Sequence, residues 1–164
     1  MITTTKRPNT GLNEEQADGV VHIFTRLLSD EELLYTKTRN YHWNVVGPRF
    51  HDLHEFFEKQ YEELAKIVDD VAEHIRYQGG RAPGTLREFL DHAQLREKPG
   101  DVPDADGMIR NLRDDHETII RNLRHDILRC EEHRAADAVE FLSNLIVDHQ
   151  KMAWMLRSML EKER

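Results

Sequence analysis

Cysteine is nearly absent from this chain: Cys130 stands alone among 164 residues. An internal disulfide is therefore excluded, and a reducing compartment, the cytoplasm, is the expected setting. No run of about 18 apolar residues occurs, which excludes a membrane-spanning helix. The first residues, MITTTKRPNTG, contain no apolar core of the kind that directs secretion, so none is expected. An excess of positive charge is also missing. With 31 acidic against 23 basic residues the formal charge is −8, a poor match to the phosphate backbone of nucleic acids and a better one to metal cations. Glycine (8) and proline (5) are sparse enough that each cluster of them marks a break. What the chain does have is charge, at 33% of residues, and ten histidines. Its length suits one domain able to bury a core without disulfide or structural metal.

Between the breaks the apolar spacing is helical. Asn13–Asn44 carries Val21, Phe24, Leu27, Leu28, Leu34 and Tyr35; Phe50–Gln78 carries Leu53, Phe56, Phe57, Leu64, Ile67, Val68, Val71 and Ile75. Asp104–His133 and Ala135–Lys162 follow the same rule, and no stretch alternates long enough to argue a strand. The expectation is four helices of roughly 27–32 residues, ~40–48 Å each at the usual rise. The first two are joined by a short turn at Val45–Arg49 and the last two near Arg134. The middle connection takes about 25 residues and holds a short helix at Thr85–Ala93, with Thr85 as N-cap and Glu88 three residues on. Two helical hairpins joined by one long crossover define an all-α, ferritin-like four-helix bundle. Residues 1–12 are expected to form a flexible tail and 13–164 the bundle domain.

Histidine with carboxylates can hold first-row divalent metals, iron or zinc above all. The Glu-x-x-His motif of an intrachain di-iron bundle is missing, since none of the ten histidines has Glu three residues before it. Another constellation stands out: His42 in NYHWN, His54 and Glu58 in LHEFFE, Asp69 and Glu73 in DDVAE. His54 with Glu58, and Asp69 with Glu73, are four apart and share a helix face. His42 and His54 flank the first turn and can meet. Asp69 lies fifteen helical residues from His54, ~22 Å, a gap no metal ion spans. Either the two groups are unrelated, or half-sites from two chains meet across a twofold axis. Spacing alone leaves both open, as it leaves open that Asp69 and Glu73 are merely a solvated face.

The run LLYTKTRNYHWNVVGPRFHDLHEFFEKQYEEL followed by DDVAEHIRYQGG closely resembles the Dps family (DNA-binding proteins from starved cells), the mini-ferritins. The likeness covers nearly the whole chain. It implies a hollow dodecamer with a ferroxidase centre between twofold-related subunits, in which iron is oxidised, by hydrogen peroxide in preference to oxygen, and stored as Fe(III) mineral. Residue by residue, it implies that His42, His54 and Glu58 act from one subunit and Asp69 and Glu73 from its partner; zinc is a possible substitute metal because His/carboxylate sites also suit it. The family often has Asp where Glu58 stands. The resemblance also raises nucleoid association and DNA binding as an alternative. Lys6 and Arg7 are the only cations of the N-terminal tail, however, and Glu161, Lys162, Glu163 and Arg164 cancel at the other end. A cage that binds zinc without redox turnover is a further alternative. Among other residues, His116 and His149 read as hydrogen-bonded core histidines, and Met152, Met155 and Met159 as core fillers. Trp43 reads as a core or interface aromatic with a second role as an oxidant sink left open. His74 is a candidate for an auxiliary site. Asp137 and Glu140 match the family's pore region, although Asp137 equally suits a helix N-terminus.

Overall fold

Each long helix begins or ends where local chemistry dictates. The structure, a computed structural model, describes residues 7–161. Helix α1 (Glu14–Asn44) opens on a reciprocal capping box: Asn13 Oδ1 accepts the Gln16 N–H at 2.9 Å, and the Asn13 N–H donates to Gln16 Oε1 at 2.9 Å. Gly47, at φ 106°, turns the chain into α2 (Phe50–Tyr77). Thr85 and Glu88 form the expected box at the start of α3 (Leu86–His92). Asp104 caps α4 (Ala105–Glu132) by accepting the Gly107 N–H at 2.7 Å. Arg134, at φ 60°, makes the tight turn into α5 (Ala136–Leu160). These bounds reproduce the expected segments to within two residues, and no strand occurs among the described residues. Residues 1–6 of the expected tail, including Lys6, and 162–164 lie outside the described residues. Arg7 is ion-paired to Asp18 and donates to the Glu14 carbonyl at 3.1 Å.

The α1–α2 and α4–α5 hairpins pack against each other, and the crossover lays α3 on α1. The shared interior is filled by Phe24, Leu28, Leu34, Phe57, Leu64, Ile109, Leu112, Ile119 and Leu123, all essentially solvent-free. Each such side chain contributes about 1.5–3 kcal/mol on burial. One expected core filler is not there, since Met155 sits on the outer face of α5; Trp43, read as a core or interface aromatic, is 62% exposed, which leaves the interface alternative. Met152 is buried and Met159 half-buried, as expected.

The core also holds ionisable groups. Glu31 of α1, His149 of α5 and His116 of α4 have no exposed surface and form one chain: His149 Nε2 lies 2.9 Å from Glu31 Oε1, and its Nδ1 lies 2.8 Å from His116 Nδ1. Next to Glu31, buried Asp30 accepts the backbone N–H groups of Gln94 (2.7 Å) and Leu95 (2.8 Å), fixing the crossover to α1. Burial pushes the Asp30 carboxyl up to about 6 against the pull of those two N–H groups.

Burial, reinforced by the neighbouring His149, holds His116 well below the usual imidazole value of 6.5. The unfolded chain therefore binds a proton below pH 6.5 that folded His116 refuses. Stability falls as pH drops through that value and is unaffected by this residue above it. Thermal unfolding between pH 7.5 and 5.5 should show a steeper loss for the native protein than for His116→Gln, which can still donate to His149 but does not titrate. Parallel pH profiles would contradict this role.

Candidate metal centre

The short turn after α1 folds His42 back against the first turns of α2. The two imidazoles stack with centroids 3.8 Å apart and planes 20° apart. Each ring donates its Nδ1–H to the other residue's backbone carbonyl: His42 Nδ1 to the His54 oxygen and His54 Nδ1 to the His42 oxygen, both at 2.8 Å. This reciprocal lock fixes the tautomer of the neutral rings and leaves both Nε2 lone pairs free, the arrangement that orients a histidine as a metal ligand. His42 is buried and His54 half-buried.

Glu58 follows one turn after His54 on the same face. Its Oε1 accepts the Tyr61 hydroxyl at 3.3 Å, and the Tyr61 ring stands edge-on to His42 at 5.2 Å. Burial, then the charge of Glu58, raises the Tyr61 phenol above its ordinary value. Further along α2, Asp69 and Glu73 are exposed. Glu73 Oε2 accepts the Tyr77 hydroxyl at 2.8 Å, a bond that raises the Tyr77 phenol. Among the described residues, no three His, Cys, Asp or Glu side chains converge closely enough to hold a metal ion. The structure thus brings His42, His54 and Glu58 to one end of α2 and leaves Asp69 and Glu73 apart.

The profile of the ferritin-like domain family matches residues 22–164. A DNA protection during starvation protein of Bacillus anthracis is 31% identical over 87% of this chain and 97% of its own length. The chain belongs to the Dps family of ferritin-like proteins. An uncharacterized low temperature-induced protein of Nostoc is 45% identical, over 94% of this chain and 87% of that protein. The crystal structure of a Dps protein from Vibrio cholerae, described as a member of the ferritin-like diiron-carboxylate superfamily, superposes with a TM-score of 0.89 at 27% identity, covering 96% of this chain and 98% of that one. As a Dps-family chain it is all-α, and no helix among the described residues is long and apolar enough to cross a membrane.

The remaining candidates fall elsewhere. His116 and His149 are hydrogen-bonded core histidines, as their place on apolar stripes implies. His74 is buried, stacked on Phe24 at 4.7 Å, with Nε2 3.6 Å from Asp137 Oδ2; desolvation lowers its pKa, partly offset by Asp137. Asp137, in the first turn of α5, also accepts from Gln78 Nε2 at 2.8 Å, while Glu140 is exposed. Tyr61 and Tyr77 went unremarked in the sequence, although each follows a candidate carboxylate by three or four residues.

The reciprocal lock has a direct spectroscopic signature. Solid-state 15N spectra of histidine-labelled protein at alkaline pH should show His42 and His54 both as Nδ1–H tautomers. Nε2–H resonances for either ring would mean that its lone pair is turned away from the site.

Proposed function

We propose that this protein oxidises Fe2+ and stores the Fe3+ product as mineral within a hollow homo-oligomeric shell, expected to be a dodecamer, at sites each completed by two chains. The observation that carries the reading is the paired His42 and His54 rings, locked with free Nε2 atoms, beside Glu58, while the two further carboxylates of the motif stand ~22 Å along the same helix. His42, His54 and Glu58 of one chain would hold the iron substrate together with Asp69 and Glu73 of a second copy. The imidazoles supply neutral nitrogen donors suited to Fe2+. The three carboxylates supply negative charge that favours Fe3+ over Fe2+, lowering the cost of electron loss. Zn2+ accepts the same donors and would compete. Hydrogen peroxide, the oxidant the family resemblance favours over oxygen, takes two electrons from two Fe2+ without releasing hydroxyl radical. The acidic chain attracts cations; Asp137 and Glu140 at the start of α5 extend that field where the family has its pores. The cytoplasm is the proposed location.

Protection of DNA then follows from removing iron and peroxide rather than from coating the duplex. Each chain carries −8, and Arg7, the described cation of the tail, is already paired with Asp18. No gel shift is expected at physiological salt and neutral pH. Binding that weakens steeply with salt would show a basic surface that this charge distribution does not provide.

The two-chain site is tested by mixing damaged chains. His42→Gly with His54→Gly, and separately Asp69→Asn with Glu73→Gln, should each slow Fe2+ oxidation by peroxide more than about tenfold, a loss that even outer partners of a metal commonly cause. Both should still assemble to about twelve chains by light scattering. A dimer of one chain of each kind keeps one intact site and one doubly damaged one, so co-assembly should partly restore turnover. No recovery in verified mixed shells, or a fully active monomer, would contradict sites shared between chains.

A further inference from the structure

The chain has four tyrosines, and their hydroxyls divide into two pairs by the direction of their hydrogen bonds. Tyr35 and Tyr41 accept: the Tyr35 oxygen from Arg39 Nη1 at 3.2 Å, and the Tyr41 oxygen from Asn111 Nδ2 at 2.9 Å. Tyr61 and Tyr77 donate, to Glu58 Oε1 at 3.3 Å and Glu73 Oε2 at 2.8 Å. The difference matters for redox chemistry. A phenol that loses an electron must also lose its proton, and a carboxylate at hydrogen-bond distance is a ready acceptor. An N–H pointing at the phenol oxygen opposes the same step.

The two donating tyrosines sit on the two proposed half-sites, one beside each group. Tyr61 in addition lies edge-on to His42 at 5.2 Å. The exposed indole of Trp43 is worse placed despite following His42 in the chain. The Arg39 guanidinium lies 4.8 Å from its ring, and a cation held on the face of an aromatic ring stabilises the electrons that oxidation would remove. The same guanidinium lies 5.1 Å from the Tyr35 ring.

We propose that Tyr61 and Tyr77 are redox side chains of the iron site, supplying the second electron when peroxide meets a site that holds one Fe2+ instead of two. This rests on the iron-oxidising reading above. In the step, Fe2+ gives one electron and the phenol the other, and the O–O bond breaks. The phenolic proton passes through the Glu58 or Glu73 carboxylate to one of the two hydroxides released. One Fe2+, one H2O2 and one tyrosine become one Fe3+, one tyrosyl radical, one water and one hydroxide. The oxidising equivalent stays on the protein and does not escape as hydroxyl radical. Both half-sites carry the device, so a site completed by two chains has a phenol from each.

The test uses assembled full-length protein loaded with one Fe2+ per chain, mixed with hydrogen peroxide and freeze-quenched. Electron paramagnetic resonance reads tyrosyl radical per Fe2+ oxidised, and a spin trap reads escaping hydroxyl radical. Native shells should give a tyrosyl signal that Tyr61→Phe and Tyr77→Phe each diminish and the double variant loses, with a rise in trapped hydroxyl radical. Tyr35→Phe should leave the signal in place. Peptide mass spectrometry of native shells after repeated cycles should place hydroxylated or cross-linked tyrosine at positions 61 and 77, a readout that needs no variant. Oxidation of Fe2+ without a tyrosyl radical, a signal that survives in the double variant, or damage confined to Tyr35, Tyr41 or Trp43 would overturn the proposal while leaving the iron reading intact. Failure of peroxide to oxidise bound Fe2+ would remove the iron reading, and this proposal with it.

Discussion

A metal ion holds nitrogen and oxygen ligands at about 2 Å, whereas an α-helix advances ~1.5 Å with every residue. The consequences run through the whole molecule. Helix α2 spans 28 residues and carries four of the five proposed ligands, yet its rigidity keeps Glu58 and Asp69 from ever serving one ion in the same chain. The turn at Gly47 solves half of this problem by folding His42 onto His54. Under the proposed function the other half would be left to symmetry. In the proposed twofold pair, two α2 helices running in opposite directions would place the carboxylate group of each beside the imidazoles of the other. Oligomerisation would then be a condition of the chemistry, and iron oxidation would report on assembly.

The same bundle has strong metal donors in its centre and does not bring them to a common point. Glu31, His149 and His116 come from three different helices with no exposed surface, and they are strung in a line, each bonded to the next. A buried carboxylate or imidazole without a partner costs several kcal/mol, so the chain of bonds is what makes this interior tolerable. It also has a positional effect. Directional bonds at 2.8–2.9 Å fix the rotation of α1 against α4 and α5 in a way that aliphatic packing alone does not. His116 Nε2 and Glu31 Oε2 keep no partner in this interior, yet no third donor converges on them among the described residues, whereas His42 and His54 present their Nε2 atoms side by side at the edge of the α1–α2 hairpin.

The helices and their order were legible because local rules set them. Asn13 with Gln16 and Thr85 with Glu88 are capping patterns readable at a separation of three residues, and the apolar stripes have the 3.6-residue period. The candidate site was legible only as two groups, and the proposal that they join rests on resemblance to a family, since no intrachain distance joins them. Asp30 and Glu31 were not legible at all. They stand in the run SDEELL, which looks like any solvated face, and their burial depends on partners 64 and 118 residues away. Met155 failed for the opposite reason. Periodicity assigns a residue to a helix face, but the reach of the neighbouring helices decides whether that face is covered, and the Met155 side chain projects beyond it.

Glu58 shows how a local departure from the family can be absorbed. A glutamate has one more rotatable bond than the aspartate common at this position, and so more conformational freedom to lose on binding. Here the Tyr61 hydroxyl holds its carboxylate, and Tyr61 itself is fixed edge-on against His42. The longer arm is thus ordered in advance, which would reduce the entropy lost if Glu58 coordinates an ion as proposed. Glu73 has a counterpart in Tyr77 at the shorter distance of 2.8 Å. The two proposed half-sites, different in their nitrogen content, share this carboxylate–phenol unit. A symmetric interface that joins them would flank each ion with two ordered carboxylates whose hydrogen-bond donors are the most easily oxidised hydroxyl groups a protein has.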